Sequence, residues 1–189
     1  MRSSSVFQAL LILGLQMALP VMAQDEVTPQ DASFALSSEE DGFLSEEELD
    51  DLVAPVALYP DALLTQILVA STYPIDVMKA DRFVAENEGL EPSELADLAA
   101  EQDWDESVRV LASGCPSVVQ NMAAEVDWTE GLGEAMLAQT DDLLDAVQRQ
   151  RARADAVGNL ESNEAQVVEV VDDNISISPA EQDVVYVPT

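Results

Sequence analysis

Carboxylates are the side chains of this sequence that could do chemistry. Aspartate and glutamate total 38, lysine and arginine total 7, and histidine is absent. Two carboxylates can hydrolyse a glycosidic bond, one as acid and the other as base or nucleophile, yet no spacing singles out one pair among so many. The chain also lacks the commonest general base and zinc ligand. We predict no catalytic residue, no metal site and no cofactor. A carboxylate-dependent hydrolase is the alternative to a non-enzymatic protein.

The segment from Ser37 to Glu48 matches part of an EF-hand calcium loop. Gly42 falls at position 6 and Glu48 at position 12 of that pattern. However, Ser37 is a weaker first ligand than the usual aspartate, and no amphipathic helix precedes the loop. The same residues also fit a helix start, because Ser45 and Glu48 have the spacing of a capping box. Calcium binding is therefore a third hypothesis.

Four aromatic residues are candidates for binding a ligand or partner. Tyr59 and Tyr73 each precede a proline, and Trp104 and Trp128 each follow an aspartate, so all four lie near predicted helix starts. Tryptophan is enriched at recognition sites. The same position also suits an aromatic ring at the edge of a core, with its indole N–H paired nearby. The sequence favours core packing over a binding groove for these residues.

Cys115 is the single cysteine, so no intramolecular disulfide can form. We predict that it is a small, half-buried residue in a turn between two helices, with intermolecular pairing as the weaker alternative. The only basic cluster is arginine at three alternating positions near the end of a predicted helix. We expect these arginines to complement the helix dipole and to pair with nearby aspartates rather than to bind an anion. The arginines are Arg149, Arg151 and Arg153, and the expected partners are Asp141, Asp145 or Asp155.

Residues 1–23 have the pattern of a cleaved signal peptide. Arg2 supplies a positive start, residues 6–21 are apolar, and Val21-Met22-Ala23 fits a cleavage site. A membrane-spanning helix needs about 20 apolar residues, and two glutamines and a proline interrupt this run. We expect cleavage without membrane insertion of the product, and a periplasmic location, with secretion as the alternative. The leading hypothesis is an interaction or structural module of the cell envelope, with a protein partner there. The hydrolase alternative would act on an envelope polymer.

The net charge of −31 restricts the possible partners. An acidic surface repels phosphate backbones and anionic lipid, so we predict no binding to nucleic acid or directly to membranes. The acidity favours either a basic partner or solubility in salty surroundings. Because the charge is spread along the chain, solubility is the simpler interpretation.

Hydrophobic periodicity predicts a mainly α protein, a multi-helix bundle with a small C-terminal β element. Residues 24–44 read as a flexible acidic leader. Residues 45–160 form a helical domain of about six helices, the longest from about Thr129 to Gly158. Residues 161–189 carry β-branched runs separated by turn residues. These runs predict a hairpin or a three-stranded meander, with Val184–Val187 as its last strand, packed on the helices.

Several strings in the chain resemble an uncharacterised exported family of Gram-negative bacteria, domain of unknown function 3300. The longest is Ala54-Pro55-Val56-Ala57-Leu58-Tyr59-Pro60-Asp61, and the similarity continues through Asp127-Trp128-Thr129 to Val184-Val185-Tyr186-Val187-Pro188. The resemblance covers nearly all of residues 44–188. It implies a periplasmic or envelope setting and no known activity, cofactor or catalytic residue. It also explains residues 45–49 as a helix start, which argues against a calcium loop.

Overall fold

The structure is a computed structural model that describes residues 43–180. These residues form eight helices followed by two strands, so the mainly α prediction is confirmed. The elements are α1 (Glu46–Val53), α2 (Asp61–Ser71), α3 (Pro74–Glu86), α4 (Pro92–Ala100), α5 (Glu106–Gly114), α6 (Pro116–Ala124), α7 (Val126–Ala138), α8 (Thr140–Ala156), β1 (Gln166–Val171) and β2 (Asn174–Pro179).

Local sequence signals determine where most helices begin. Ser45 caps α1 in a capping box, in which the backbone N–H of Glu48 donates to the Ser45 hydroxyl and the Glu48 carboxylate accepts from the Ser45 backbone. Proline is the first residue of α3, α4 and α6, where its missing N–H leaves no hydrogen bond unmade. Pro60 was expected to be the first residue of α2, but it is the N-cap, one position before the helix begins.

The predicted long helix from about Thr129 to Gly158 is wrong, because two helices, α7 and α8, occupy this span. This division is one reason why the described residues contain more helices than the six predicted. Helix α7 begins at Val126, and Gln139 separates it from α8 with non-helical angles (φ −138°, ψ 44°). The Gln139 amide pairs with the backbone of Leu44. Its Oε1 accepts from the Leu44 N–H at 2.7 Å, and its Nε2 donates to the Leu44 carbonyl at 2.9 Å. This contact joins residues 95 positions apart, so helical periodicity did not reveal the break.

One main core holds the helices together. It lies between α1, α2, α3, α5, α6, α7 and α8, and burying apolar side chains there supplies most of the driving force for folding. Its largest fully buried apolar side chains are Leu49, Ile67, Leu111, Met122, Leu132 and Leu143.

Helix α7 crosses the end of α2 at very short range. A Cβ placed on Gly133 would lie 2.2 Å from the carbonyl oxygen of Ser71 and 3.0 Å from the amide nitrogen of Thr72. Both are backbone atoms, which cannot rotate away. Gly133 therefore sets how closely the two helices pack.

The two strands form an antiparallel hairpin in which Val171 pairs with Asn174. Asp172 (φ 51°) and Asp173 (φ 65°) make the two-residue turn, and positive φ at both positions is typical of a type I′ turn. The predicted third strand, Val184–Val187, lies outside the described residues.

The hairpin packs on the helical domain through its second strand. Ile175 and Ile177 are buried with Leu160 in a second apolar cluster. Leu58, from the α1–α2 connection, and Ala154, from α8, pack against this cluster. The hairpin thus gains the apolar cover that two strands alone lack.

Some predictions fall outside the described residues. These are the signal peptide (1–23), the leader as far as Gly42, and most of the calcium loop. Within residues 43–180, no helix is long and apolar enough to cross a membrane.

Candidate functional site

The structure separates the four candidate aromatic residues. Tyr59 and Trp128 line the same cleft. Trp104 packs edge-on against Phe83, with ring centroids 5.3 Å apart and an angle of 82° between the rings, and both rings pack against the main core. Tyr73 is the N-cap of α3 and is 43% exposed. Core packing therefore describes Trp104 well, whereas Tyr59 and Trp128 combine core contact with an open face.

The aromatic cleft lies between the α1–α2 connection, α2, α6 and the start of α7. Its volume of about 470 Å³ falls within the range of small-molecule and side-chain binding pockets, roughly 300–1,000 Å³. Most of its wall is aliphatic or aromatic carbon, and the described residues contribute one amide and one carboxylate to it. The lining residues are Pro55, Val56, Tyr59, Ile67, Val118, Asn121, Met122, Glu125 and Trp128.

Trp128 is anchored rather than free to rotate. It is the third residue of α7, and its indole N–H donates to the carbonyl oxygen of Leu52 in α1 at 2.8 Å. This hydrogen bond satisfies the polar edge of the ring while the residue lines the cleft. Fixing an aromatic side chain in advance reduces the entropy lost when a ligand binds against it.

Tyr59 is positioned by the backbone that carries it. The α1–α2 connection continues past Pro55 in a series of turns, and Tyr59 ends this series. Burial raises the pKa of the Tyr59 hydroxyl, and the nearby Cys115 raises it further. Burial likewise raises the pKa of the Cys115 thiol, which is buried rather than half-buried as predicted. Both groups are therefore neutral at neutral pH, and neither is an activated nucleophile.

Arg151 holds the α1–α2 connection in place. Its side chain is 2% exposed and donates to the carbonyl oxygens of Ala57 (2.8 Å), Tyr59 (3.1 Å) and Ile175 (2.8 Å). It also pairs with Asp61 at 2.6 Å. One guanidinium therefore joins α8, the connection that carries Tyr59, and β2. Planar geometry with five donors makes arginine suited to such multiple contacts.

The Asp50 carboxylate forms ion pairs with the other two arginines of the cluster. Arg149 Nε lies 2.8 Å from Asp50 Oδ1, and Arg153 Nη2 lies 2.6 Å from Oδ2. Burial alone would raise the pKa of Asp50, but its hydrogen bonds and charge interactions with Arg149 and Arg153 lower it below its ordinary value. Gln150 adds a hydrogen bond to the Asp50 carbonyl at 2.9 Å.

The expectation that the arginines are structural agrees with these contacts, but the expected ion pairs are wrong. The observed ion-pair partners are Asp50 and Asp61, about a hundred positions earlier in the chain, in place of Asp141, Asp145 or Asp155. The spacing of the three arginines could have indicated that they do not share one set of partners. On a helix, positions 149 and 153 share a face and position 151 lies on the opposite side, so a single set of partners was not to be expected.

The calcium hypothesis rests mainly on residues that the structure does not describe. Of the proposed ligands, Glu48 is described, and its carboxylate accepts hydrogen bonds from Ser45. The side-chain hydrogen bond with Ser45 is the main reason why the pKa of Glu48 is lowered. Between residues 43 and 180, no three acidic or cysteine side chains are grouped so that they could hold a metal ion.

Comparison with known proteins identifies the family of this chain. The profile of a family described as protein of unknown function (DUF3300) matches residues 45–189. The chain belongs to this family. It is also 36% identical over 176 aligned residues to the uncharacterized protein YacH of Escherichia coli (strain K12). That alignment covers 76% of this chain and 28% of YacH, so the chain spans less than a third of its relative. No solved structure matches it.

The α1–α2 connection contributes Pro55, Val56 and Tyr59 to the lining of the aromatic cleft. A second cleft of about 430 Å³ lies beside the α3–α4 turn and the start of α6, but none of the four candidate aromatic residues lines it. The aromatic cleft is thus the site at which two of the four candidate binding residues, Tyr59 and Trp128, come together.

Proposed function

We propose that this chain is an exported, non-enzymatic interaction module of the cell envelope that binds its partner in the aromatic cleft. The observation that carries the proposal is the juxtaposition of Tyr59 and Trp128 on one mainly apolar cleft, with the Trp128 indole held by its hydrogen bond to Leu52. Aromatic residues in apolar pockets dominate the affinity of many interfaces.

The chemistry of the cleft supports binding better than hydrolysis. A glycosidase needs two carboxyl groups about 5–9 Å apart, and among residues 43–180 Glu125 is the one carboxylate that lines the aromatic cleft. Burial raises the pKa of the Tyr59 hydroxyl, so this group is neutral near pH 7 and does not take the place of a second carboxylate. Apolar contact and a few hydrogen bonds are what this cleft offers to a ligand.

Crosslinking from inside the cleft tests the binding proposal. A photoreactive benzoylphenylalanine is placed at Asn121, which lines the cleft and is exposed, and at Leu137 as the control, which is 75% exposed and lies outside the cleft. We expect a discrete adduct in the envelope fraction from position 121 and none from position 137. An adduct from position 137 with none from position 121 would contradict the proposed site.

Export is tested separately by expressing the full chain in a Gram-negative host. The sequence of residues 1–23 supports cleavage after Ala23. We expect the chain in the periplasmic fraction with Gln24 as its new amino terminus. A chain that keeps residues 1–23 and stays in the cytoplasm would refute export without touching the binding proposal.

A further inference from the structure

The aromatic cleft combines apolar walls with negative charge at its edge. Glu125, at the junction of α6 and α7, lines the cleft, and no lysine or arginine of the described part of the chain does. Two more exposed carboxylates are adjacent in sequence to residues of the site: Asp127 precedes Trp128, and Asp51 precedes Leu52, whose carbonyl oxygen accepts from the indole. The net charge of −31 adds a long-range field of the same sign.

A basic side chain complements such a site in two ways. Lysine and arginine carry a long aliphatic stem that packs on apolar surface, and a charged end that stays near polar groups. Their cations are attracted to the faces of tryptophan and tyrosine rings. Trp128 and Tyr59 supply those rings, and Glu125 supplies a counter-charge. An acidic or neutral polar side chain lacks the cation that the rings and Glu125 attract.

We propose that the aromatic cleft takes a lysine or arginine side chain from a flexible basic segment of a partner protein. This inference rests on the interaction role proposed above and adds the chemical class of the partner. The charge of the whole chain favours a polypeptide carrying several basic residues over a single free cation. Several positive charges near an acidic surface speed association and hold the segment while one side chain enters the cleft.

The test is a titration of the isotopically labelled chain that follows the side-chain N–H resonances of Trp128 and Asn121. The probe is the peptide (Lys-Ala)5, with (Gln-Ala)5 as the neutral control and butylammonium chloride as the free cation. We expect saturable shifts with the lysine peptide that weaken as salt is added, and much smaller shifts with the other two. Equal shifts with (Gln-Ala)5 would overturn the basic-segment inference while supporting the interaction role. Equal shifts with butylammonium would overturn the choice of a polypeptide.

Matched variants locate the binding. Glu125→Gln removes the carboxylate at the cleft and should weaken binding of the lysine peptide about fivefold, whereas Glu130→Gln, on α7 outside the cleft, should not. Tyr59→Ala should weaken binding by a similar factor and Tyr73→Ala should not. Peptide binding that is unchanged by both Glu125→Gln and Tyr59→Ala would show non-specific attraction and overturn the inference. No shift at Trp128 or Asn121 with the lysine peptide would overturn it as well, and the crosslinking from position 121 would then decide the interaction role independently.

Discussion

At the scale of single residues, buried polar contacts explain why the helices take their positions. Arg151 and Asp50 are both buried, and each joins segments far apart in sequence. A buried charge is stable when hydrogen bonds surround it, and removing its partners strongly reduces the stability of the fold. Substitutions at these two residues should therefore be more damaging than substitutions of exposed charges of the same type.

Replacing Arg151 tests its structural role. Arg151→Met leaves the carbonyl oxygens of Ala57 and Ile175 without these hydrogen bonds, and we expect the free energy of unfolding in urea to fall by about 3 kcal/mol. The control is Lys79→Met, which removes a 50% exposed charge that pairs with Asp76 within α3 and should cost less than about 1 kcal/mol. Equal losses from the two variants would refute the role assigned to Arg151.

Asp50 should make stability depend on pH. Because its pKa is lowered in the folded chain, its contribution is complete above the ordinary value of 3.8 and is lost as pH falls through the folded value. Asp50→Asn should reduce the free energy of unfolding by about 1–2 kcal/mol at pH 6, and the difference from the unaltered chain should shrink towards pH 3. Asp51→Asn, at an exposed neighbouring position, is the control and should change little at either pH. A difference that stays constant from pH 6 to pH 3 would contradict the assignment.

At the scale of elements, two local geometries set how the helices and the hairpin are built. Helix α7 packs on the end of α2 at Gly133, where no side chain fits. The hairpin turns at two aspartates with positive φ, a conformation that L-residues other than asparagine and aspartate seldom adopt. The close contact at Gly133 excludes larger residues, whereas glycine in the turn of the hairpin would increase its stability.

Alanine at Gly133 should destabilise the fold. Its Cβ would overlap the Ser71 carbonyl, so the two helices must move apart, and we expect a loss of about 1–3 kcal/mol. Gly131→Ala is the control on the same helix, because the nearest atom to its Cβ, Leu52 Cδ1, lies at an ordinary 3.7 Å. That substitution should stabilise the chain by up to about 1 kcal/mol through helix propensity. Similar unfolding midpoints for the two variants would show that the α2–α7 contact is looser than described.

Glycine at Asp173 should stabilise the hairpin. Asp173 has φ of 65°, which costs an L-residue about 1 kcal/mol relative to glycine. We expect Asp173→Gly to slow hydrogen exchange of the β1 and β2 amides by about threefold to fivefold. Glu169→Gly, at an exposed position within β1, should speed the same exchange. Faster exchange in Asp173→Gly would contradict the type I′ turn.

The sequence predicted elements whose signals are local and missed those that depend on distant partners. Ser45 and Glu48 form the predicted capping box, and Pro74 starts a helix as expected. The break at Gln139 escaped detection because its amide is satisfied by Leu44, 95 residues earlier. The candidate aromatic residues were named from local context, but no local pattern indicated that Tyr59 and Trp128 would share a cleft without Trp104 and Tyr73.

At the scale of the whole molecule, the helical bundle, the buried arginine and the hairpin together present one mainly apolar cleft on a strongly acidic chain. Arg151 donates a hydrogen bond to the backbone carbonyl of Tyr59, and the Leu52 carbonyl of α1 accepts one from the indole of Trp128. The cleft is therefore preformed by the fold. This arrangement suits a module that binds a partner segment with little rearrangement.

The central claim is that the partner binds against Tyr59. Its most direct test is the yield of the photo-adduct from position 121 in chains that also carry Tyr59→Ala or Tyr73→Ala, with the unfolding midpoint of each chain measured alongside. We predict that Tyr59→Ala abolishes most of the adduct while the chain stays folded, and that Tyr73→Ala leaves the yield unchanged. An equal yield from both folded variants would contradict the account.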